Sequence, residues 1–372
     1  MFRGFGSIFY KEVIQISRDP LTLALMLLLP MLQLLLFGYA INTTVRDIRT
    51  AVYNLDPGRD SRELLDAFQN TDYFQISEYA GSDEELNGAI IAGRAKVGIK
   101  IPPDYSERLA AGRQATVLVL IDGSDSSIAT QSLTVSTSVG LRESLERLTA
   151  GGEGGPLELP IEIRPKMLFN PDSRSANFMV PGLVAIILQV ITTLLTAFSI
   201  VRERERGTLE QLLVTPIQPF GLMLGKLVPY GLIGIFETVT VLAVMRVVFA
   251  VPINGSVLLL LLLSILFLFT ALAIGLLIST KAQNQVQAFQ MAFLIIFPSV
   301  LLSGFMFPRA SMPPVMQAIS FLIPATHFME IIRGIVLRGA TISDVMNEVI
   351  TLAVMGILLL ALSALRFRKK LA

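Results

Sequence analysis

The chain has no cysteine, which excludes disulfides, thiol catalysis and cysteine-ligated zinc but leaves the compartment open. Histidine is almost absent too, since His327 is the only one in 372 residues. A histidine metal pair or a histidine-carboxylate-serine triad would have to use it, so a structural or interfacial role is expected instead. Charge is scarce: 16% of residues are Asp, Glu, Lys or Arg, against about 25% in average chains. Hydrophobic residues make up 53% and the mean hydropathy is +0.65. The composition is that of an integral membrane protein. A formal net charge of +1 gives no sign of nucleic acid as a partner.

A nucleotide-binding loop is also missing. The nearest approach, Gly221-Leu222-Met223-Leu224-Gly225-Lys226-Leu227, has one residue too few between its glycines. It also carries Leu227 where a Ser or Thr would bind magnesium. Gly221 and Gly225, like Ala271 and Gly275, read better as small residues four apart at helix contacts. The chain is therefore expected to bind no cofactor and to be no enzyme. Any ATP-derived energy must come from a partner.

What the chain has in plenty is long apolar runs. Residues 21–41 are apolar except Thr22, Gln33 and Tyr39 and can cross a hydrocarbon core of about 30 Å. A signal peptide is the rival reading, but its apolar core is only about 7–15 residues long. Further spans are expected over 177–200, 220–248, 257–279, 286–307 and 349–365. The expected class is an α-helical polytopic membrane protein with six transmembrane helices.

Basic residues orient them. Arg3, Lys11 and Arg18 precede the first span, Arg202, Arg204 and Arg206 follow the second, and Lys281 follows the fourth. Arg366, Arg368, Lys369 and Lys370 follow the last. With six spans these segments share one side, the cytoplasm, and both termini lie there. Arg309, Arg333 and Arg338 fall outside and go against the rule.

Two parts lie outside the spans. Residues 42–176 alternate strand and helix patterns, predicting an inserted α/β extracytoplasmic domain between the first two spans. Strands are expected at 50–55, 96–101, 115–121 and 161–168, and helices at 61–69, 83–92, 105–111 and 125–148. Gly151 to Pro156 reads as a flexible loop. Residues 308–347 predict outer helices, broken at Pro324 and ending at Gly339, and apolar enough to dip into the leaflet or cover the spans.

Polar residues inside spans are few. Glu237 sits in the middle of the third, with Arg246 nine residues on. An intramembrane carboxylate is a functional candidate by default; a hydrogen bond to a neighbouring helix, for instance to Gln189, is the bland alternative. Gln283, Gln287 and Gln290 share one helical face at the start of the fifth span and either line a wet groove or mark the interface. Gln189, Glu237, Gln287 and Gln290 are the candidates for a transport path.

The most informative segment is Val201-Arg202-Glu203-Arg204-Glu205-Arg206-Gly207-Thr208-Leu209-Glu210-Gln211-Leu212. It cannot lie in hydrocarbon, because each charge there costs about 2.5–3.5 kcal/mol. As a helix it would pair Glu203 with Arg206 and Arg206 with Glu210, and would gather Leu209, Leu212 and Leu213 on another face. A solvated loop would also suit the charges, but the leucine face argues for docking. Phe5, Phe9, Val13 and Ile16 make residues 1–20 an amphipathic interfacial helix, ended by Arg18-Asp19-Pro20.

This charged segment with Pro216 resembles the coupling helix of ABC-2 type transporter permeases. Lys11-Glu12 and Arg18-Asp19-Pro20 resemble that family's N-terminal interfacial helix. Phe169-Asn170-Pro171 resembles its re-entry segment, and Pro324-Ala325-Thr326-His327 with Arg333 and Gly339 its outer helical element. Order and topology match over essentially the whole chain. The large insertion resembles the bacterial export and multidrug subgroup.

The resemblance implies the membrane-spanning subunit of an ATP-binding cassette exporter in the inner membrane. ATP and magnesium would be used by separate cytoplasmic ATPase subunits. A second permease, identical or a close paralogue, would complete the path, with the second and fifth spans at the dimer face and along the substrate path, and membrane lipids would be further partners. A periplasmic adaptor could dock on the outer domain. Glu203, Arg204, Arg206, Gly207, Thr208, Leu209, Glu210 and Leu212 are the implied coupling residues. The alternatives are a membrane receptor, which would need a sizeable cytoplasmic effector, and an ion-coupled secondary transporter, which would need charged relays and internal repeats. The substrate is not legible.

Overall fold

Strand β4, Ala115–Asp122, alternates two apolar faces, and that alternation organises the first half of the chain. In a computed structural model describing residues 46–150, 159–172, 174–207 and 219–369, it lies in a five-stranded sheet of order β2-β1-β3-β4-β5. The other strands are β1 Ile48–Asn54, β2 Phe74–Tyr79, β3 Val97–Ile101 and β5 Ile161–Leu168. Only β3 and β4 pair antiparallel. Val117, Val119 and Ile121 pack under helices α1 (Arg59–Gln69), α3 (Tyr105–Ala110) and α4 (Ser126–Ala150). Leu118 and Leu120 face the other way, with α2 (Asp83–Ile91). Period-two burial on both faces is what a sheet covered on both sides requires.

The four expected strands are present, and the sheet has a fifth. Edge strand β2 was not expected, because Phe74-Gln75-Ile76-Ser77-Glu78-Tyr79 buries only Phe74 fully. Helix α4 begins one residue after Asp125, whose Oδ1 accepts from the amides of Ser127 and Ile128 at its open N-terminus.

From β5 the chain turns into the helical part through Asn170. Its buried amide oxygen accepts from Arg174 N at 3.0 Å and Asn177 Nδ2 at 2.9 Å, and its Nδ2 donates to Arg174 O at 3.2 Å. This knot is the physical content of the Phe169-Asn170-Pro171 signal. Helix α5, Ser175–Glu205, follows and is about 46 Å long at 1.5 Å per residue. The other long helices are α6 (Pro219–Val247), α7 (Val257–Lys281), α8 (Gln285–Leu302) and α11 (Met346–Lys369). Five helices among the described residues are long and apolar enough to cross a membrane, matching the second to sixth expected spans. The first span, the N-terminal interfacial helix, the glycine-rich loop, residues 208–218 and the last three residues of the basic tail lie outside the described residues.

Two shorter helices, α9 (Pro314–Phe321) and α10 (Pro324–Arg333), meet at 85°. Pro324 starts the second helix as well as ending the first, as proline at a first helical turn allows. A π-helical turn, Gly334–Arg338, runs on to Gly339. Its carbonyls are met by the loop before α7: Asn254 N and Gly255 N donate to Val336 O and Ile335 O at 2.9 Å each, and Asn254 Nδ2 donates to Leu337 O at 2.7 Å. Phe328, Ile331, Ile332 and Ile335 are fully buried against α5 and α7, so α10 covers the long helices. Phe328 stacks on Phe267 with ring centroids 4.2 Å apart.

Helices α5 and α7 touch through the expected small residue. A Cβ added at Gly275 would stand 2.7 Å from Thr193 O and 2.7 Å from Thr196 Cβ. Gly275→Ala is expected to destabilise the helical part by about 1–3 kcal/mol, the usual cost of overpacking. A lowered midpoint in thermal unfolding of the detergent-solubilised protein checks this.

Candidate functional site

The charged segment begins as the last turn of α5. Arg204 folds back from it, its Nη1 donating to Ser279 O at 2.8 Å and also to Ala282 O. These carbonyls belong to the end of α7 and the corner that leads into α8, where the ladder of helical bonds leaves acceptors open. Glu205 grips the same corner from the other side. Its carboxylate accepts from Gln285 N at 2.8 Å and from Gln285 Nε2 at 2.6 Å. The corner is also held from within: Asn284 caps α8 by accepting from Gln287 N, and Gln287 Oε1 accepts from Gln283 N. Hydrogen bonds to charged groups are the stronger kind. Adjacent residues of opposite charge thus bolt the end of α5 to the α7–α8 corner.

The segment is not one helix. Gly207 has φ +68°, its amide donates to Arg204 O, and α5 stops at Glu205. Glycine takes this left-handed conformation without steric penalty and is the common terminator of helices. The helix therefore stops before Arg206, and the expected Arg206–Glu210 pairing involves a residue outside the described ones. Thr208, Leu209, Glu210 and Leu212 lie outside the described residues.

The transport-path candidates do not form one described site. Gln189 Nε2 donates to Ser299 Oγ of α8 at 3.1 Å, so it does not bond Glu237 as the bland reading expected. Both Glu237 oxygens are buried without a hydrogen-bond partner, as are Gln189 Oε1 and Gln290 Oε1. Gln287 is buried in the corner. Gln283 precedes α8 and does not share a helical face with the other two glutamines. Arg246 donates to Val251 O at 3.3 Å. His327 is structural: its Nε2 bonds Phe321 O at 2.8 Å and its ring meets the Phe321 ring edge-on.

The sequence missed a second charged centre, where the sheet meets the helical part. Arg338 reaches from the π turn into the sheet domain. Its Nε donates to Ile91 O at 3.1 Å, Nη1 lies 3.7 Å from Asp122, and Nη2 lies 3.8 Å from Glu330. Lys96 meets Asp122 at 3.1 Å. Burial pushes the Asp122 carboxyl up, but Lys96 and Arg338 outweigh it and hold the group below the usual carboxylate range. Burial raises Asp125. Arg333 stacks on Phe178 at 4.0 Å and donates to Gly304 O at 3.0 Å. Two of the basic residues that went against the orientation rule, Arg333 and Arg338, are thus partners of buried carboxylates and carbonyls rather than free loop charges. No local pattern announces this, because Asp122 and Arg338 are 216 positions apart.

Comparison with known proteins follows the same outline. A family model described as "ABC-2 family transporter protein" matches residues 20–365. The chain is 32% identical to the "Probable multidrug ABC transporter permease YbhS" of Escherichia coli (strain K12), over 100% of this chain and 98% of that one. It is 30% identical to the "Probable multidrug ABC transporter permease YbhR" of the same strain, over the whole of both. It is 31% identical to the "Inner membrane transport permease YhhJ" of that strain, over 86% of this chain and 84% of that one.

Proposed function

The chain belongs to the ABC-2 family of transporter proteins, and from that premise we propose how this permease subunit of an ATP-binding cassette exporter is driven. Permeases of this kind are not enzymes and work with separate ATPase subunits, and nothing in the relatives favours a receptor or a secondary transporter. The segment Glu203–Leu212 docks in the ATPase. Leu209 and Leu212 are the apolar anchor, and Arg206 and Glu210 make polar contacts. Arg204 and Glu205 act inward. When the ATP-bound ATPase pair closes, the docked segment moves, and the bonds of its Arg204 and Glu205 carry the α7–α8 corner with it. α5, α7 and α8 then move together and open the path outward.

The observation that carries this reading is the double clamp of Arg204 and Glu205 on the corner. A solvated loop has no need of it. The rest of the proposed arrangement is as follows. Six spans, the first at 21–41, put the clamp and both termini in the cytoplasm and the sheet domain on the far side. The protein sits in the inner membrane. The exposed stripe Met179, Leu183, Ile191 and Leu195 of α5, and the exposed Val286 and Phe289 of α8, suit a second permease. The sheet domain forms an exit chamber or docks a periplasmic adaptor. Export of drugs follows the names of the relatives, and the unpartnered Glu237 would suit a cationic substrate.

Glu210→Arg combined with Leu209→Asp is expected to abolish co-purification of the ATPase in mild detergent, while the permease is recovered in wild-type amount. Undiminished co-purification from the doubly substituted chain would remove the docking assignment.

A further inference from the structure

A cavity of about 580 Å³ opens where the sheet domain rests on the helical part. Its wall carries six cations, Arg46, Arg49, Lys96, Arg309, Arg333 and Arg338, against three carboxylates, Asp47, Asp125 and Glu330. The nearest carboxylates are engaged. Asp125 Oδ1 caps α4, Glu330 lies by Arg338, and Asp122 behind the wall takes Lys96 and Arg338.

Arg333 is the unusual member. It is 5% exposed. Its Nη1 is used by Gly304 O and its guanidinium plane is fixed by the Phe178 ring. Nε and Nη2, the parallel pair of donors along its other edge, have no acceptor. That edge is the fork that matches two oxygens of a phosphate or carboxylate. A buried donor without an acceptor is costly, more so when charged. Arg309 Nε, on the same wall, also lacks an acceptor.

We propose that this cavity binds a phosphate oxyanion, two of its oxygens seated on the Nε–Nη2 edge of Arg333 and a third near Arg309. The surroundings favour the headgroup of an anionic phospholipid. Gln317 of α9 lines the cavity, and the same helix and its end expose Val315, Phe321 and Leu322 at 69%, 52% and 72%. A charged pocket beside an exposed apolar surface fits an amphiphile with its phosphate in and its chains along α9.

The test uses the full chain, delipidated in detergent. Native mass spectrometry reads retention of added phosphatidylglycerol, and thermal unfolding reads the response to inorganic phosphate against chloride at equal ionic strength. Arg333→Lys keeps the charge and loses the fork, and Arg309→Gln is a milder change should the first variant fold poorly. Wild type is expected to retain the lipid, and each variant to bind it about tenfold more weakly, the loss of one charge-assisted hydrogen bond. Stabilisation by inorganic phosphate that the variants lose, without lipid retention, would assign the site to a soluble phosphate-bearing ligand. Lipid retention or phosphate stabilisation equal in all three proteins, or neither effect in wild type, overturns the proposal.

Discussion

Arg204→Ala is expected to leave the ATPase bound and hydrolysing ATP while the permease stops responding. The substitution removes the donor to Ser279 O and Ala282 O and leaves the docking half of the segment untouched. Each such charged hydrogen bond contributes about 1.5–3 kcal/mol, enough for the corner to separate from the end of α5 in a large share of molecules. The chain is free of native cysteine, so paired labels can be placed without background. Spin labels on Lys281→Cys, at the corner, and Ser343→Cys, at the other end of the helical part, read the distance that matters. In wild type, trapping the ATPase with ATP should shift that distance; in Arg204→Ala most of the shift should vanish while trapping still occurs. An unchanged shift would mean that the force enters by another route. Glu205→Gln keeps an acceptor for Gln285 and should give the smaller defect.

How far the sequence reveals this design depends on the range of the interactions. The spans were legible because hydrocarbon thickness sets a length, and α7 at Val257–Lys281 follows its apolar run almost to the residue. Strands β3 and β4 were legible from their apolar runs, but β2 was not, since an edge strand that buries little leaves a weak pattern. The charged segment was legible as a handle. Its division was harder to see: Arg and Glu alternation favours helix across Gly207, and only the left-handed conformation of that residue shows where the helix stops. The junction was the opposite case. Counting Arg309, Arg333 and Arg338 as loop charges assumes that loops meet water. Here Arg333 and Arg338 are buried, and their partners come from strands and turns far away in sequence. The carboxylate Glu237 shows the same limit, because the partner expected for it, Gln189, donates to Ser299 instead.

Removing Arg338 should be the most damaging single change outside the clamp. Its guanidinium joins the two halves of the protein: Ile91 O, Ser124 and Asp122 on the sheet side, Glu330 on the helical side. Arg338→Met leaves Asp122, fully buried, with Lys96 as its remaining cation. Breaking one side of a buried pair costs about 3–5 kcal/mol, mostly because the abandoned charge cannot return to water. Thermal unfolding in detergent should show a large fall in midpoint, with the sheet domain released first and cut earlier by protease. Adding Asp122→Asn to Arg338→Met should recover part of the loss, since the abandoned charge is then gone. The same carboxylate sets an acid limit. Its pKa in the folded protein is lowered by Lys96 and Arg338 against the opposing effect of burial, so the folded state binds fewer protons than the unfolded one. Its contribution is complete above the ordinary aspartate pKa and is lost as pH falls through the depressed value. Wild type should lose stability on acidification over that window, and Asp122→Asn should lose less. Equal acid sensitivity in the two proteins would place the acid limit at another carboxylate and leave the Arg338 result to stand on the neutral-pH midpoint alone.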